Sequence, residues 1–81
     1  MTYFVYIIRA TKYQNKIYIG YTKDVYTRLD AHNNGQSKHT AQYKPWEMVS
    51  FIGFHNKKAA KSFESYLRSG SGRAFIKNHF W

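Results

Sequence analysis

Tyr18-Ile19-Gly20-Tyr21-Thr22-Lys23-Asp24-Val25-Tyr26-Thr27-Arg28-Leu29-Asp30-Ala31-His32 decides the fold of this 81-residue chain. The stretch opens as a β-branched and aromatic strand and passes directly into a helical pattern. Thr22 is read as the helix N-cap and Asp24 as a first-turn acid, with Gly35 ending the helix near Asn33 or Asn34. Val25 and Leu29 form its apolar stripe. Arg28 and His32, four residues apart, share a face at the border of that stripe, where a side chain is held by packing and still reaches solvent. Gly20 weakens a strand unless backbone or ligand approaches closely there. A tyrosine, an arginine and a histidine around such a glycine point to a site for a phosphate.

The flanking segments supply the rest. Residues 3–9, Tyr-Phe-Val-Tyr-Ile-Ile-Arg, are β-branched and aromatic almost throughout, which suits a strand covered on both faces. Residues 16–22 make a second strand, and the short connection, turning at Gln14-Asn15, pairs the two as a hairpin. Residues 35–45 are polar and aperiodic and read as a loop over the site, closed by Pro45. Residues 46–54 are a third strand. Asn56 caps a second helix over 56–69, with Ala60, Phe63 and Leu67 as its stripe and Glu64 beside it. Gly70-Ser71-Gly72 breaks that helix. Ser71 caps a short last one, packed through Phe75, Ile76, His79 and Phe80. The expected fold is α+β: one domain over residues 1–81, a three-stranded antiparallel sheet flanked by helices, in the order β-β-α-β-α-α.

Thirteen Lys and Arg face four Asp and Glu, a net charge of +9. The cations are spread along the chain, which favours a folded basic surface and a polyanionic partner over a disordered arm. The absence of cysteine excludes a disulfide framework and a thiolate metal site. No apolar run approaches the roughly 20 residues that span a bilayer. The N-terminus lacks the basic-then-apolar order of a signal peptide. A cytoplasmic protein with no membrane association is expected. Eight Tyr, six Phe and two Trp enlarge a core that so short a chain otherwise builds poorly.

Tyr6 and Tyr18 occupy corresponding positions of the two hairpin strands. With them the chain resembles the GIY-YIG endonuclease family. The first signature stands as Phe4-Val5-Tyr6 and the second, intact, as Tyr18-Ile19-Gly20. The family's helix arginine is matched by Arg28, its following histidine or tyrosine by His32, and its metal-binding glutamate by Glu64. Phe4 and Val5 depart from the first signature's glycine and isoleucine. Asn78 is a loose match to a late asparagine. The small bacterial members that consist of this domain alone are the most similar in layout.

The resemblance implies a metal-dependent DNA endonuclease acting on duplex or branched DNA, in repair or recombination. It implies a single Mg²⁺ or Mn²⁺ on Glu64 and no small-molecule cofactor. Arg28 would hold the non-bridging phosphate oxygens through its planar fork. Tyr6 would be the general base or water-positioning group, which needs a cation to lower an ordinary tyrosine pKa near 10. Tyr18 would bond the phosphate or the water, and His32 would relay the proton or orient Tyr6. Which tyrosine takes the proton stays open. Lys38, Lys44, Arg68, Arg73 and Lys77 read as backbone-phosphate contacts, and His39 as a loop residue near the scissile phosphate. The family's nucleases usually carry a separate targeting domain, so substrate choice here falls to DNA shape or to a protein partner.

Each residue also has a purely structural reading. Tyr6 and Tyr18 fit paired strand aromatics, Arg28 a solvated helix charge, His32 a satisfied surface histidine, and Glu64 an i,i+4 partner of Arg68. At the level of function, the rivals are a non-catalytic nucleic-acid-binding module on the same scaffold and a small RNA-binding domain whose aromatics stack on bases.

Overall fold

Val5, Tyr6, Ile7 and Ile8 are consecutive and all buried. Side chains alternate across a strand, so such a run needs cover on both faces and a central place in its sheet. In the computed structural model, which describes residues 1–13 and 15–81, that is where it lies. Strand β1 (Tyr3–Ala10) runs between β2 (Ile17–Thr22) and β3 (Trp46–Phe54), antiparallel to both, in the order β2-β1-β3. Helices α1 (Val25–Asn33) and α2 (Lys38–Ala41) precede β3, and α3 (Lys57–Arg68) and α4 (Gly70–His79) follow it. Gln14, half of the expected hairpin turn, lies outside the described residues.

The two faces carry two separate cores. Val5, Ile7 and Ile19 pack with Ala60, Leu67 and Ile76 of α3 and α4, and Phe63, Phe75 and Phe80 close the edges. Tyr6, Ile8 and Ala10 pack with Val25 and Trp46, joined by Tyr18, Leu29, Tyr43 and Met48. The register with β3 shifts between Ile7 and Ile8, which pair with Ser50 and Met48. This bulge inserts Val49 and reverses the alternation. Met48 therefore faces the second core and Val49 the first.

The three strands and the helices α1, α3 and α4 agree with the sequence reading, while several termini and the segment 35–45 do not. The N-cap of α1 is Asp24, whose carboxylate accepts from Thr27 N at 3.1 Å. Thr22, expected in that role, instead uses its hydroxyl on the backbone N–H and carbonyl of Asp24, both at 3.2 Å. Residues 35–45 are not simply a loop: Ser37 starts the short helix α2. Gly35 does follow α1, with φ of 76°. Asn56 caps α3 as expected. The break before α4 is Ser69 alone, whose hydroxyl accepts from Gly72 N at 3.1 Å, so Ser71 is not the cap and Gly70 to Gly72 form α4's first turn.

Gly72 shows how tightly that corner is made. A Cβ there would fall inside the Tyr66 carbonyl and the Leu67 Cα, which are backbone and have no room to move, whereas a Cβ at Gly70 meets nothing. Gly72→Ala is expected to destabilise the chain by about 1–3 kcal/mol, as overpacking does. Gly70→Ala should change stability by no more than about 0.5 kcal/mol, as most surface substitutions do. Urea unfolding of the two variants checks the pair; equal stabilities would mean that the α3–α4 corner relaxes freely.

Candidate active site

Tyr6 and Tyr18 lie on the same sheet face, not directly opposite one another. Tyr6 pairs with Gly20 and Tyr18 with Ile8, so the tyrosines are diagonal neighbours with ring centroids 6.3 Å apart. The Tyr6 ring crosses Gly20 so closely that any Cβ there would overlap its hydroxyl end. This close approach accounts for a glycine inside β2.

The Tyr6 side chain is 1% exposed, and its hydroxyl meets His32 Nε2 at 2.9 Å. His32 is 2% exposed, with its ring 5.0 Å from that of Tyr18. It therefore does not sit at a solvent border as expected from the helix pattern. Its other nitrogen, Nδ1, lies 2.7 Å from Thr40 Oγ1, and the Thr40 hydroxyl points on to the Ser37 carbonyl at 3.4 Å. With that hydrogen directed to Ser37, Thr40 accepts from His32 Nδ1–H. Nε2 is then left to accept from Tyr6 O–H. Thr40 is 1% exposed and its carbonyl accepts from Trp46 Nε1 at 2.9 Å. Asn33 clamps the same corner: its amide nitrogen donates to Trp46 O at 3.0 Å, and its amide oxygen accepts from Trp46 N at 2.6 Å. Sequence reasoning missed Thr40 and Asn33. The available signal for Thr40 was Ser37 three residues ahead, a helix-start spacing inside an otherwise aperiodic segment.

Electrostatics agree with this tautomer. Burial, then the Arg28 guanidinium, lowers the His32 pKa below its ordinary value. Burial, then Tyr18, pushes the Tyr6 hydroxyl well above its ordinary value, while Arg28 pulls it down. The cationic neighbour is present, yet burial outweighs it, so the phenol stays protonated and serves as the donor to a neutral imidazole. Arg28 itself is exposed and, with His32, Thr22, Thr27 and Ser37, lines a groove of about 680 Å³.

Glu64 approaches from α3, which packs on the opposite sheet face. Its side chain is 13% exposed, and Arg68 donates to its Oε2 at 3.0 Å. The i,i+4 pairing foreseen as the structural reading is thus made. The same Arg68 Nη2 donates to the Ile19 carbonyl at 2.7 Å. Arg68, expected as a backbone-phosphate contact, is engaged as a tie between α3 and β2, with its side chain 53% exposed. The charges of Glu64 and Arg68 both act on the Tyr6 hydroxyl, so α3 reaches the tyrosine site electrostatically. A hard divalent cation needs oxygen ligands and room for water. Glu64 offers a single carboxylate already paired with Arg68, so an ion there would take most of its ligands from water and would have to share that oxygen with the guanidinium. Among the described residues no group of three or more His, Cys, Asp or Glu forms a closed cage.

The remaining candidates are more scattered. His39 is exposed with its ring 6.1 Å from that of Tyr18. Lys38 and Lys44 are exposed at and beyond α2, and Arg73 and Lys77 are exposed on α4. Asn78 is exposed on α4 and, among the described residues, enters none of the site's hydrogen bonds. No described helix is long and apolar enough to cross a membrane.

The chain is similar in sequence and fold to several known proteins. The family model described as the GIY-YIG catalytic domain matches residues 2–77. The structure-specific endonuclease subunit slx1 of Xenopus laevis is 41% identical over 69 residues, covering 76% of this chain and 24% of that protein. The chain thus spans about a quarter of that relative's length. A UPF0213 protein of Clostridium perfringens is 36% identical over 66 residues, covering 80% of this chain and 69% of that one. The solution NMR structure of a UPF0213 protein from Bacillus halodurans superposes with a TM-score of 0.58 at 27% identity, covering 96% of this chain and 84% of the other.

A histidine held neutral by burial ties stability to pH. The unfolded imidazole takes a proton more readily than the folded one. The stabilisation is therefore full above the ordinary histidine value and is lost as pH falls from there through the lower folded value. The His32 ring resonances are expected to titrate below the ordinary histidine range, and the thermal midpoint to fall over the same interval. A His32 that titrates at or above its ordinary value would remove the neutral tautomer and the Tyr6 hydrogen bond built on it.

Proposed function

This chain belongs to the GIY-YIG catalytic-domain family, and from that premise we propose that it is a divalent-metal-dependent endonuclease that hydrolyses phosphodiester bonds in DNA. One observation carries the reading: at the family's signature positions, a buried tyrosine hydroxyl is hydrogen-bonded to a neutral histidine within the field of an exposed arginine.

In this reading Arg28 binds the non-bridging oxygens of the scissile phosphate and meets the charge that grows there in the transition state. Tyr6 orients the attacking water. As it takes the water's proton, its own hydroxyl proton passes to His32 Nε2, so no free phenolate has to form against the raised pKa. Thr40 fixes the His32 ring for that transfer by accepting from Nδ1. Tyr18, packed against both rings, bonds the phosphate or the water. A Mg²⁺ or Mn²⁺ ion held by Glu64 would supply further charge neutralisation at the phosphate. Lys38, His39, Lys44, Arg73 and Lys77 contact phosphates away from the cut. The slx1 relatives are named structure-specific endonuclease subunits, which supports a branched-DNA substrate, a place in repair or recombination, and a protein partner that directs the chain. A cytoplasmic location belongs to the same reading.

The purified chain should cut supercoiled or branched DNA when Mg²⁺ or Mn²⁺ is present. Arg28→Ala should lower turnover by about 10²-fold or more, the scale of losing a transition-state charge contact. Its thermal midpoint should stay unchanged, because Arg28 is exposed. Glu64→Gln keeps the shape and removes the charge. It should abolish the amide shift changes that a Mg²⁺ titration produces around Tyr6, Tyr18 and Glu64 in the native chain. Full turnover in the arginine variant would reduce Arg28 to a solvated helix charge. Identical titrations in the native chain and the glutamine variant would place the ion elsewhere.

A further inference from the structure

The outer edge of β2 borders a recess that begins at Tyr18 and runs away from the tyrosine site. Three adjoining hollows of about 370, 260 and 250 Å³ all share Ile17 and Arg73. Tyr18 and His39 stand at the end nearest the tyrosine site, and Lys77 at the other. Lys16 and Tyr43 line the middle. Among the described residues, four cations line these hollows, Lys16, Arg68, Arg73 and Lys77, and no Asp or Glu does. Arg68 is already met by Glu64, which leaves the other three for a ligand. Beside Lys16 lies an aromatic pair. Tyr13, 47% exposed, meets Tyr43 at 5.4 Å and 81°, and Lys16 Nζ is 4.9 Å from the Tyr43 ring.

We propose that this recess holds a single-stranded DNA arm running away from the scissile phosphate. Arg73 and Lys77 contact its phosphates, and the Tyr13–Tyr43 pair stacks an unpaired base. The proposal rests on the nuclease reading and deepens it: the preferred substrate is DNA in which a duplex meets a single strand.

Charge and shape both favour that occupant. A track of cations without acids follows a phosphate backbone, and aromatic faces beside it accept bases without regard to sequence. In a continuous duplex both faces of every base are covered by its neighbours, so none is free for Tyr13. Hollows of about 250–370 Å³ along a strand edge sit near the small end of ligand-pocket size, a scale that suits one flexible strand better than a duplex.

Fluorescence anisotropy with the full chain in EDTA reads binding without cleavage. The probes are a blunt duplex and the same duplex carrying a short single-stranded DNA or RNA arm. The DNA-armed duplex should bind roughly tenfold more tightly than the blunt one, the scale of one base stack. That advantage should vanish in Tyr13→Ala and in the double variant Arg73→Gln/Lys77→Gln. All these side chains are exposed, so thermal midpoints should match the native chain. Equal affinity for blunt and armed DNA overturns the proposal, as does an advantage that survives both variants, or a preference for the RNA arm. Cleavage in Mg²⁺ is scored separately. Cutting of blunt and armed DNA alike, without an arm advantage in binding, leaves the nuclease reading and removes the recess. An arm advantage without cutting of any DNA does the reverse.

Discussion

The Tyr6 hydroxyl sits on the central strand, beneath a helix, with almost no access to water. A phenol buried there without a partner would cost free energy comparable to a lost hydrogen bond or more. His32 Nε2 removes that cost, and the requirement then spreads outward. His32 must stay neutral to accept, so its Nδ1–H needs an acceptor, which Thr40 supplies from α2. The Tyr6 ring needs a path across β2, which only a glycine at position 20 leaves open. Three elements distant in sequence are thereby fixed by one hydroxyl, and α2 acquires a purpose that four residues could not give it alone.

A second constraint is set at the far side of the sheet. Because β1 is apolar on both faces, β3 must offer side chains to both cores. A regular strand of its sequence would send them to the wrong sides. The bulge at Val49 corrects this within one residue. Trp46 and Met48 then face the tyrosine core, and Val49 joins the other. Trp46 is held in turn by Asn33 at its backbone and by Thr40 at its indole, so the end of α1, the end of α2 and the start of β3 meet at one residue.

Much of this was legible in the residues. Long runs with a clear period gave the strands and α3 to within a residue or two, and the all-apolar β1 pointed directly to a central strand. Helix termini were less legible because two good caps stood two residues apart in each case: Thr22 and Asp24, then Ser69 and Ser71. Propensity does not choose between such neighbours; local hydrogen bonds do. α2 was hidden because four residues show no period. His32 was the instructive miss. The α1 stripe consists of little more than Val25 and Leu29, too sparse to say whether the next turn is inside or at the border. Its burial is decided by Tyr6, 26 residues away, and Thr40, eight residues on. Of the residues that the family pattern names, Tyr6, Tyr18 and His32 lie in contact, Arg28 stands exposed beside them, and Glu64 pairs with Arg68. The pattern was silent on the residues that hold that set in place.

Glu64 and the tyrosines are separated by the sheet itself. Helix α3, which carries Glu64, packs on the first core through Ala60 and Leu67, while Tyr6 and Tyr18 belong to the second and His32 lies against both of their rings. Two faces of a sheet communicate only at an edge, and β2 is the edge that both α3 and the tyrosines reach. Arg68 converts that proximity into a fixed relation. It holds the Glu64 carboxylate through one ion pair and anchors to the Ile19 carbonyl, one residue before the glycine that Tyr6 crosses. The pair is only half-exposed at Arg68 and shielded at Glu64, and besides any stability it adds to the helix it fixes where the carboxylate lies. Its effect is positional: the carboxylate is held at the strand edge where its charge acts on the Tyr6 hydroxyl. A fold with β2 in the middle of the sheet would have the same residues and no place for them to meet.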